Sequence, residues 1–127
     1  MNKNVVGWFE IPTGDMERAI QFYKDVFGFE FHRMKMPQLD MAMFPSVNDG
    51  MGSGGALVHN KEFYKPLDNG VLIYFTSPSG NVANELCKVE AAGGKIFVPR
   101  TQISEEYGYM GIIIDTEGNR IGLHSRK

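Results

Sequence analysis

The sequence predicts an α+β fold in which two similar βαβββ modules form an open curved barrel, with the helices outside and a cavity inside. Strand-like and helix-like segments follow the order β-α-β-β-β twice, at a spacing of roughly 60 residues. Half of the 127-residue chain could barely bury a core of its own. We therefore expect one domain, 1–127, in which module one (about 1–62) and module two (about 68–127) share a core. A content of 43% hydrophobic and 22% charged residues is typical of globular proteins.

Module one begins with VVGWFEI (Val5–Ile11), a strand-like segment rich in branched and aromatic residues. Asp15 is the expected N-cap of a helix whose apolar residues recur at helical spacing, and Gly28 ends that helix. The apolar positions of this helix are Met16, Ala19, Ile20, Tyr23, Val26 and Phe27. Three further strands are predicted in FEFHRMK, LDMAMF and GALVH, which complete the first module.

Module two repeats this order from Gly70 onward. GVLIYFT predicts a strand, a helix follows at about 81–92 with Val82, Leu86 and Val89 inward, and KIFVP, YMGIIID and RIGLHS predict three more strands. Cys87 cannot form an internal disulfide because it is the only cysteine. Its position beside Leu86 predicts a small core residue.

Several function classes are disfavoured by composition and motif. Thirteen basic and fifteen acidic residues give a net charge of -2 with no Lys/Arg cluster, so no nucleic-acid partner is expected. No run of about 18 apolar residues and no leader-like segment occurs, so we expect a cytoplasmic protein without a membrane partner. GMGSGG has the glycine spacing of a dinucleotide fingerprint, but a strand follows it instead of a helix, which favours a flexible loop or cavity lid.

Strand alternation places Trp8 and Glu10 on one face of the first strand and Phe9 and Ile11 on the other. The less uniformly apolar face is the candidate cavity wall. A carboxyl group partly desolvated there would have a raised pKa and could act as a general base, whereas a salt bridge at the strand end is the structural alternative for Glu10. Four alternating methionines could likewise line a pliable pocket or pack in the core: Met34, Met36, Met41 and Met43.

Histidines lie near the ends of two strands, His59 in module one and His124 in module two. Each could line a ligand site or be an ordinary half-exposed residue. His32, flanked by charged residues, is expected to be solvated. None of the three has a paired spacing such as HExxH, so spacing alone assigns no metal site.

The opening WFEIPTGDMERAIQFYKDVFGF and the closing DTEGNRIGLHS, joined by the βαβββ repeat, resemble the vicinal oxygen chelate superfamily. This superfamily includes glyoxalase I, bleomycin-resistance proteins and extradiol dioxygenases. The resemblance covers nearly the whole chain and is closest to compact glyoxalase-like bacterial proteins. Superfamily members often form dimers, with the cavity sometimes built across both subunits. The resemblance therefore implies a homodimer.

The resemblance also implies where a divalent metal would bind. Family enzymes typically take one ligand from the first strand and one from the last strand of each module, commonly His and Glu. Here the first-strand positions fall near Trp8 and Leu72, the last strand of module one offers Leu57 or His59, and the usual final glutamate is Gly122. Only His59 among these can coordinate a metal. The usual metal site is therefore predicted to be missing, and no cofactor is assigned.

These observations predict a protein that binds a small organic molecule in the inter-module cavity. In this hypothesis Trp8, Tyr74 and the methionines supply apolar contact, His59 and His124 line the site, and Glu10 orients polar groups or acts as a base. The alternative is a metal-dependent lyase, isomerase or dioxygenase with a shifted ligand set of Glu10, His59 and His124, in which the ion would polarise vicinal oxygens.

Overall fold

The computed structural model of the protein describes residues 4–48 and 50–127. In these ranges the predicted α+β class and the repeated βαβββ order are confirmed. Module one contains β1 (Trp8–Pro12), α1 (Met16–Phe27), β2 (His32–Met36), β3 (Leu39–Met43) and β4 (Gly54–His59). Module two contains β5 (Ile73–Thr76), α2 (Val82–Val89), β6 (Lys95–Ser104), β7 (Gly108–Ile114) and β8 (Arg120–Ser125). Neither helix is long and apolar enough to cross a membrane.

Each module forms one four-stranded mixed sheet, and the two sheets have the same topology. The strand orders are β1-β4-β3-β2 and β5-β8-β7-β6. The first and last strands of each module pair in parallel, whereas the other neighbours are antiparallel. The parallel pairing sets Glu10 opposite Ala56 in one sheet and Tyr74 opposite Gly122 in the other. Thus each module places its first strand at a sheet edge.

Both ends of α1 follow the predicted caps. The Asp15 side chain accepts a hydrogen bond from the Arg18 N–H at 3.1 Å, and Gly28, at φ 77°, donates its N–H to the Lys24 carbonyl at 2.8 Å. A residue with a side chain would be strained at that φ, which explains the glycine. Phe22 is buried in α1 although it was not predicted to face inward, while Ile20 is only partly buried.

Helix α2 begins after Asn81, whose side chain accepts a hydrogen bond from the Ala83 N–H at 3.0 Å. It ends at Val89, three residues before the predicted end. The prediction that Cys87 is a core residue is wrong. The buried face of α2 repeats at helical spacing through Val82, Glu85, Leu86 and Val89, so Cys87 points away from it and is exposed.

The core lies between the helices and one face of each sheet. Strand residues that pack against the helices include Ile11, Leu57, Phe75, Ile113, Ile121 and Leu123. Rings from both modules meet there: the Phe9 and Phe75 centroids are 5.9 Å apart, and Phe44 lies 5.4 Å from each. Aromatic rings at these separations add to the hydrophobic stabilisation. The core is therefore shared by the modules, and the opposite face of each sheet, here called the helix-free face, carries no helix.

A polar contact also joins the modules through Glu117, in the turn between β7 and β8. Its carboxylate accepts hydrogen bonds from the N–H groups of Gly14 and Asp15, at 2.9 and 2.7 Å, and from the Arg18 guanidinium at 2.8 and 3.0 Å. Burial by itself raises the pKa of Glu117, but these bonds and that from Thr116 outweigh it and bring the pKa below its usual value. The start of α1 is thus held by a carboxylate from module two.

The same turn contains a buried hydrogen-bond network. Tyr23 donates its hydroxyl to Asp115 at 2.6 Å, and the Asn119 amide donates to Asp115 at 3.1 Å and to the Pro12 carbonyl at 2.7 Å. Burial raises the pKa of Asp115 above its usual value even though the hydrogen bonds act in the opposite direction. Burial likewise raises the pKa of Tyr23, helped by the neighbouring Asp115. These groups fix the closing DTEGN turn against the first module.

Candidate functional site

Two adjoining pockets lie in the cleft between β1 of module one and β5 of module two. The larger has a volume of about 650 Å³ and is called here the apolar pocket. Aromatic rings line much of it, and three further apolar side chains on its lining are strongly exposed: Val5 (89%), Met51 (96%) and Val71 (90%). The ring-bearing residues are Phe9, Phe29, Phe44, Tyr74 and Phe75. This pocket offers an apolar, concave surface open to solvent.

The smaller pocket has a volume of about 230 Å³ and is called here the charged pocket. Three charged residues line it, Glu10, Lys65 and Arg120, together with the amide residues Asn69 and Asn119. The rest of its lining includes apolar residues of β1, β5 and β8. Val71 and Ile73 line both pockets. A single molecule could therefore extend from the apolar pocket into the charged one.

Glu10 is oriented by two donors on the helix-free face of β1. Trp8 Nε1 donates to one carboxylate oxygen at 3.3 Å, and the Tyr64 hydroxyl donates to the other at 2.7 Å. The hydrogen bond to Glu10 is the main cause that raises the pKa of Tyr64. The predicted alternation of β1 is confirmed, since Phe9 and Ile11 pack in the core while Trp8 and Glu10 do not. No ion pair to Glu10 occurs among residues 4–48 and 50–127, so the salt-bridge alternative finds no partner there.

Sequence reasoning missed Tyr64, which lies in the segment that joins the modules. The Asn60 side chain accepts hydrogen bonds from the N–H groups of Glu62 and Phe63, and its carbonyl accepts one from the Tyr64 N–H. These local bonds form a turn that presents Tyr64 to Glu10. Asn60 indicates the turn, but no spacing in the sequence indicates which side chain it delivers to the first strand.

Gly122 makes room for the ring of Tyr74. A Cβ atom built on Gly122 would stand 2.6 Å from Tyr74 Cδ1 and 2.7 Å from Cε1, far inside ordinary contact. The two residues are paired across the parallel β5 and β8 strands, so they share the helix-free face of the second sheet. The position where the resemblance implies a metal-binding glutamate is therefore filled by an aromatic ring.

The two candidate histidines lie away from the cleft. His59 Nδ1 donates to the Thr13 carbonyl at 2.8 Å, and His59 lines a different cavity of about 590 Å³ with Lys35 and Lys61. His124 Nε2 donates to the Tyr107 carbonyl at 2.5 Å, which ties it to the turn between β6 and β7. Neither lines the apolar or the charged pocket. Of the predicted site residues, Glu10 and Tyr74 line the cleft and Trp8 reaches it through its hydrogen bond to Glu10.

The four methionines share the helix-free face of the first sheet, because Met34 pairs with Met41 across β2 and β3. Met41 is buried with Ala56 and Val58 in a small second core, with Met43 packed against it. Met34 and Met36 are 42% and 43% exposed. Met41 and Met43 therefore pack in a core, whereas Met34 and Met36 form part of an open apolar surface.

A divalent metal does not fit the positions that the resemblance implies. Leu57 is fully buried against the helices, and the residue that faces Glu10 across the parallel pair is Ala56. Tyr74 and Gly122 occupy the corresponding pair of module two. Over residues 4–48 and 50–127, no group of three His, Cys, Asp or Glu side chains could hold a metal ion. Three or four donors are normally needed, so no step of a mechanism is assigned to a metal.

Comparison with known proteins agrees with this architecture. Residues 6–46 match the family model described as bleomycin resistance protein-like N-terminal. The chain is similar to glyoxalase I from Zea mays (TM-score 0.69, 19% identity), covering 94% of this chain and 45% of that one. It thus spans under half the length of the maize chain. No curated protein sequence matches significantly.

Two other solved structures are similar over almost their whole length. The hypothetical protein SA1046 from S. aureus has a TM-score of 0.68 and 24% identity, with 98% of this chain and 95% of that chain covered. TnmS3, an antibiotic binding protein from Streptomyces sp. CB03234, has a TM-score of 0.67 and 20% identity, with 100% and 99% covered. At these identities the likeness establishes a shared fold.

Proposed function

We propose that the chain belongs to the vicinal oxygen chelate superfamily and that it binds a small organic molecule in the cleft between its modules. Its fold and its N-terminal family match support this proposal. The ligand has an apolar or aromatic body that occupies the apolar pocket. One observation carries this proposal: the pocket measures about 650 Å³ and its wall is mainly aromatic and aliphatic. Ligand pockets are typically of about 300–1,000 Å³ with such linings.

Burial of apolar surface supplies the driving force. Val5, Met51 and Val71 are almost fully exposed at this pocket, so a ligand that covers them removes apolar area from water on both sides of the contact. Each square ångström so removed contributes about 25 cal/mol. The rings of Phe9, Tyr74 and Phe75 offer faces and edges to an aromatic ligand. Binding in this manner needs no catalytic group.

Glu10 is the proposed polar contact at the other end of the cleft. Its two oxygens are already oriented by Trp8 and Tyr64, and each can accept a further hydrogen bond. A ligand donor reaching the charged pocket would meet an acceptor that is fixed before binding. His59 and His124 have no role in this proposal, since each donates to a backbone carbonyl outside the cleft.

No observation favours the metal-dependent lyase, isomerase or dioxygenase, because the side chains at the expected ligand positions are not a set of metal donors. The antibiotic binding protein TnmS3 has the same fold, which supports a binding role. We therefore propose ligand binding as the primary activity of this chain and leave Glu10 as the group to which any proton transfer would be assigned.

The proposal is tested by calorimetric titration with 2-naphthamide, a neutral aromatic probe. A ligand of this size at about 0.3 kcal/mol per non-hydrogen atom binds with a dissociation constant of about 1 mM. Val71→Lys, which places a charge on the wall of the apolar pocket, is expected to weaken binding by about tenfold. Val47→Lys is the matched control, because Val47 is also exposed (77%) and lies outside both pockets. Absence of binding, or equal binding to the Val71 variant, would contradict the proposal.

A further inference from the structure

Arg120 stands in the charged pocket with part of its guanidinium unsatisfied. Its Nε is buried and has no hydrogen-bond partner in the described part of the chain. Its Nη2 donates to the Gly70 carbonyl at 3.5 Å, at the outer limit of a hydrogen bond. A charged donor removed from water without a partner is costly, more so than a neutral one. Because the buried Nε is out of reach of a ligand, an acceptor in the pocket would meet the outer Nη nitrogens, of which Nη2 makes this long hydrogen bond.

The comparison with Arg33 shows that Arg120 is unusual. Arg33 also has a buried Nε without a partner, but its other nitrogens form ion pairs with Glu17 and Asp40. Within residues 4–48 and 50–127, no carboxylate pairs with Arg120. Among described arginines with a buried, unpaired Nε, Arg120 is thus the one whose charge is left uncompensated.

The other groups in the charged pocket leave a positive balance. Among the described residues on its lining, Glu10 is the acidic one, and its oxygens accept hydrogen bonds from Trp8 and Tyr64, not from Arg120. Lys65 adds a second cation. Two cations and one carboxylate give one net positive charge, which matches a singly charged anion better than a dianion such as phosphate.

We infer that the charged pocket receives a carboxylate of the ligand, bound by Arg120 and assisted by Lys65. This inference rests on the proposed function, because the body of the same molecule lies in the apolar pocket. The two pockets share Val71 and Ile73, so a compact aromatic acid can reach both. The planar guanidinium presents two parallel N–H donors that fit the two oxygens of a carboxylate. The ligand class is therefore an aromatic or apolar monocarboxylic acid.

A pair of isosteric probes tests the inference. Titration at fixed ionic strength with 2-naphthoate and with 2-naphthamide compares an anion and a neutral amide on the same ring system. We expect naphthoate to bind at least about tenfold more tightly, as for a charge-assisted hydrogen-bonded pair. Arg120→Gln is expected to abolish this preference, because it weakens naphthoate binding far more than naphthamide binding. Arg100→Gln is the matched control, because Arg100 is exposed and stacks over the Tyr109 ring 3.7 Å from its centroid.

A spectroscopic measurement on the wild-type protein keeps the test independent of variant folding. The ¹⁵N-detected Nε–H signal of Arg120 is expected to shift on addition of naphthoate and not of naphthamide. Arg120→Lys keeps the positive charge but loses the two parallel N–H donors of the guanidinium. It is expected to retain only part of the preference for naphthoate over naphthamide. Inorganic phosphate is expected to compete weakly with naphthoate.

The outcomes separate the two proposals. Equal binding of both probes, a preference that survives Arg120→Gln, or an unmoved Nε–H signal would overturn the carboxylate assignment while the apolar ligand site stands. Competition by phosphate at equal strength would indicate a general anion site and would also overturn it. Failure of both probes to bind would refute the proposed function itself, and the inference with it.

Discussion

Replacing Gly122 with alanine tests whether the Tyr74 ring fills the space above β8. The added Cβ would stand 2.6, 2.7 and 2.9 Å from ring atoms Cδ1, Cε1 and Cγ, where ordinary contacts are 3.4–4 Å. Because Cγ is among the atoms met, rotation of the ring about its own axis cannot relieve the overlap. The whole side chain must swing away, and its 48% exposure leaves room toward solvent.

The magnitude follows from two opposing effects. Overpacking costs about 1–3 kcal/mol, and the lower half of that range applies because the Tyr74 ring can move into solvent. Removing the conformational freedom of a strand glycine contributes about 0.5–1 kcal/mol in the stabilising direction. Gly122→Ala is therefore expected to destabilise the protein by about 1 kcal/mol. In a Tyr74→Ala background the overlap is absent, and the same change should stabilise by about 0.5 kcal/mol.

Urea denaturation of the four proteins of this double-mutant cycle gives both values, provided that the dependence on urea is unchanged. Gly7→Ala serves as the control, because a Cβ at Gly7 meets no atom within 4 Å and its effect should not depend on Tyr74. The sign reversal is the decisive result. If Gly122→Ala destabilised both backgrounds equally, the explanation of Gly122 by the Tyr74 ring would be refuted.

Two further predictions concern the contact between the modules and the assembly of the chain. Glu117→Gln is expected to lower the free energy of unfolding by about 2 kcal/mol, because it breaks the charged hydrogen bonds to Arg18. Glu17→Gln is the control and should change the free energy of unfolding little, because the Glu17 side chain is 78% exposed. Because the folded-state pKa of Glu117 is lowered, its contribution is present above the unfolded pKa and is lost as pH falls through the folded one. Urea titrations from neutral to acidic pH should therefore show a smaller acid loss in the Gln variant, and an equal loss would contradict this. Light scattering is expected to show a homodimer that Met34→Lys weakens, because Trp8 and Met34 are both exposed apolar side chains on the helix-free face of the first sheet. A monomeric wild type would contradict the prediction.

The local structure of this protein could be predicted from short-range patterns. Asp15 and Gly28 act within one helical turn of the groups they cap, so their residue types identify the ends of α1. Alternation along β1 likewise separated Trp8 and Glu10 from Phe9 and Ile11, and the structure places the second pair in the core. The prediction for Cys87 failed because it relied on sequence adjacency to the buried Leu86 instead of on helical spacing. Adjacent residues of a helix point in different directions, and Cys87 is exposed.

The length of strands depended on their partners. KIFVP predicted a strand at 95–99, but β6 runs to Ser104 because it pairs with β7 through several register shifts. A β-strand continues as long as a partner strand offers hydrogen bonds. The sequence of β6 alone does not predict where β7 pairs with it, so it does not predict where β6 ends.

The composition of the cleft was decided by tertiary structure. Glu10 meets Tyr64 across 54 residues, and His59 bonds to Thr13 across 46. Sequence identified Glu10 and Tyr74 as candidates from residue type and strand period, whereas Gly122 was identified as a position without its usual metal ligand through the family resemblance alone. It did not reveal that Tyr74 covers Gly122, that His59 and His124 are bound to backbone carbonyls, or that Arg120 has no acidic partner among the described residues. Such contacts depend on the register of strands distant in the chain, and a shift of one residue would move every side chain to the opposite face.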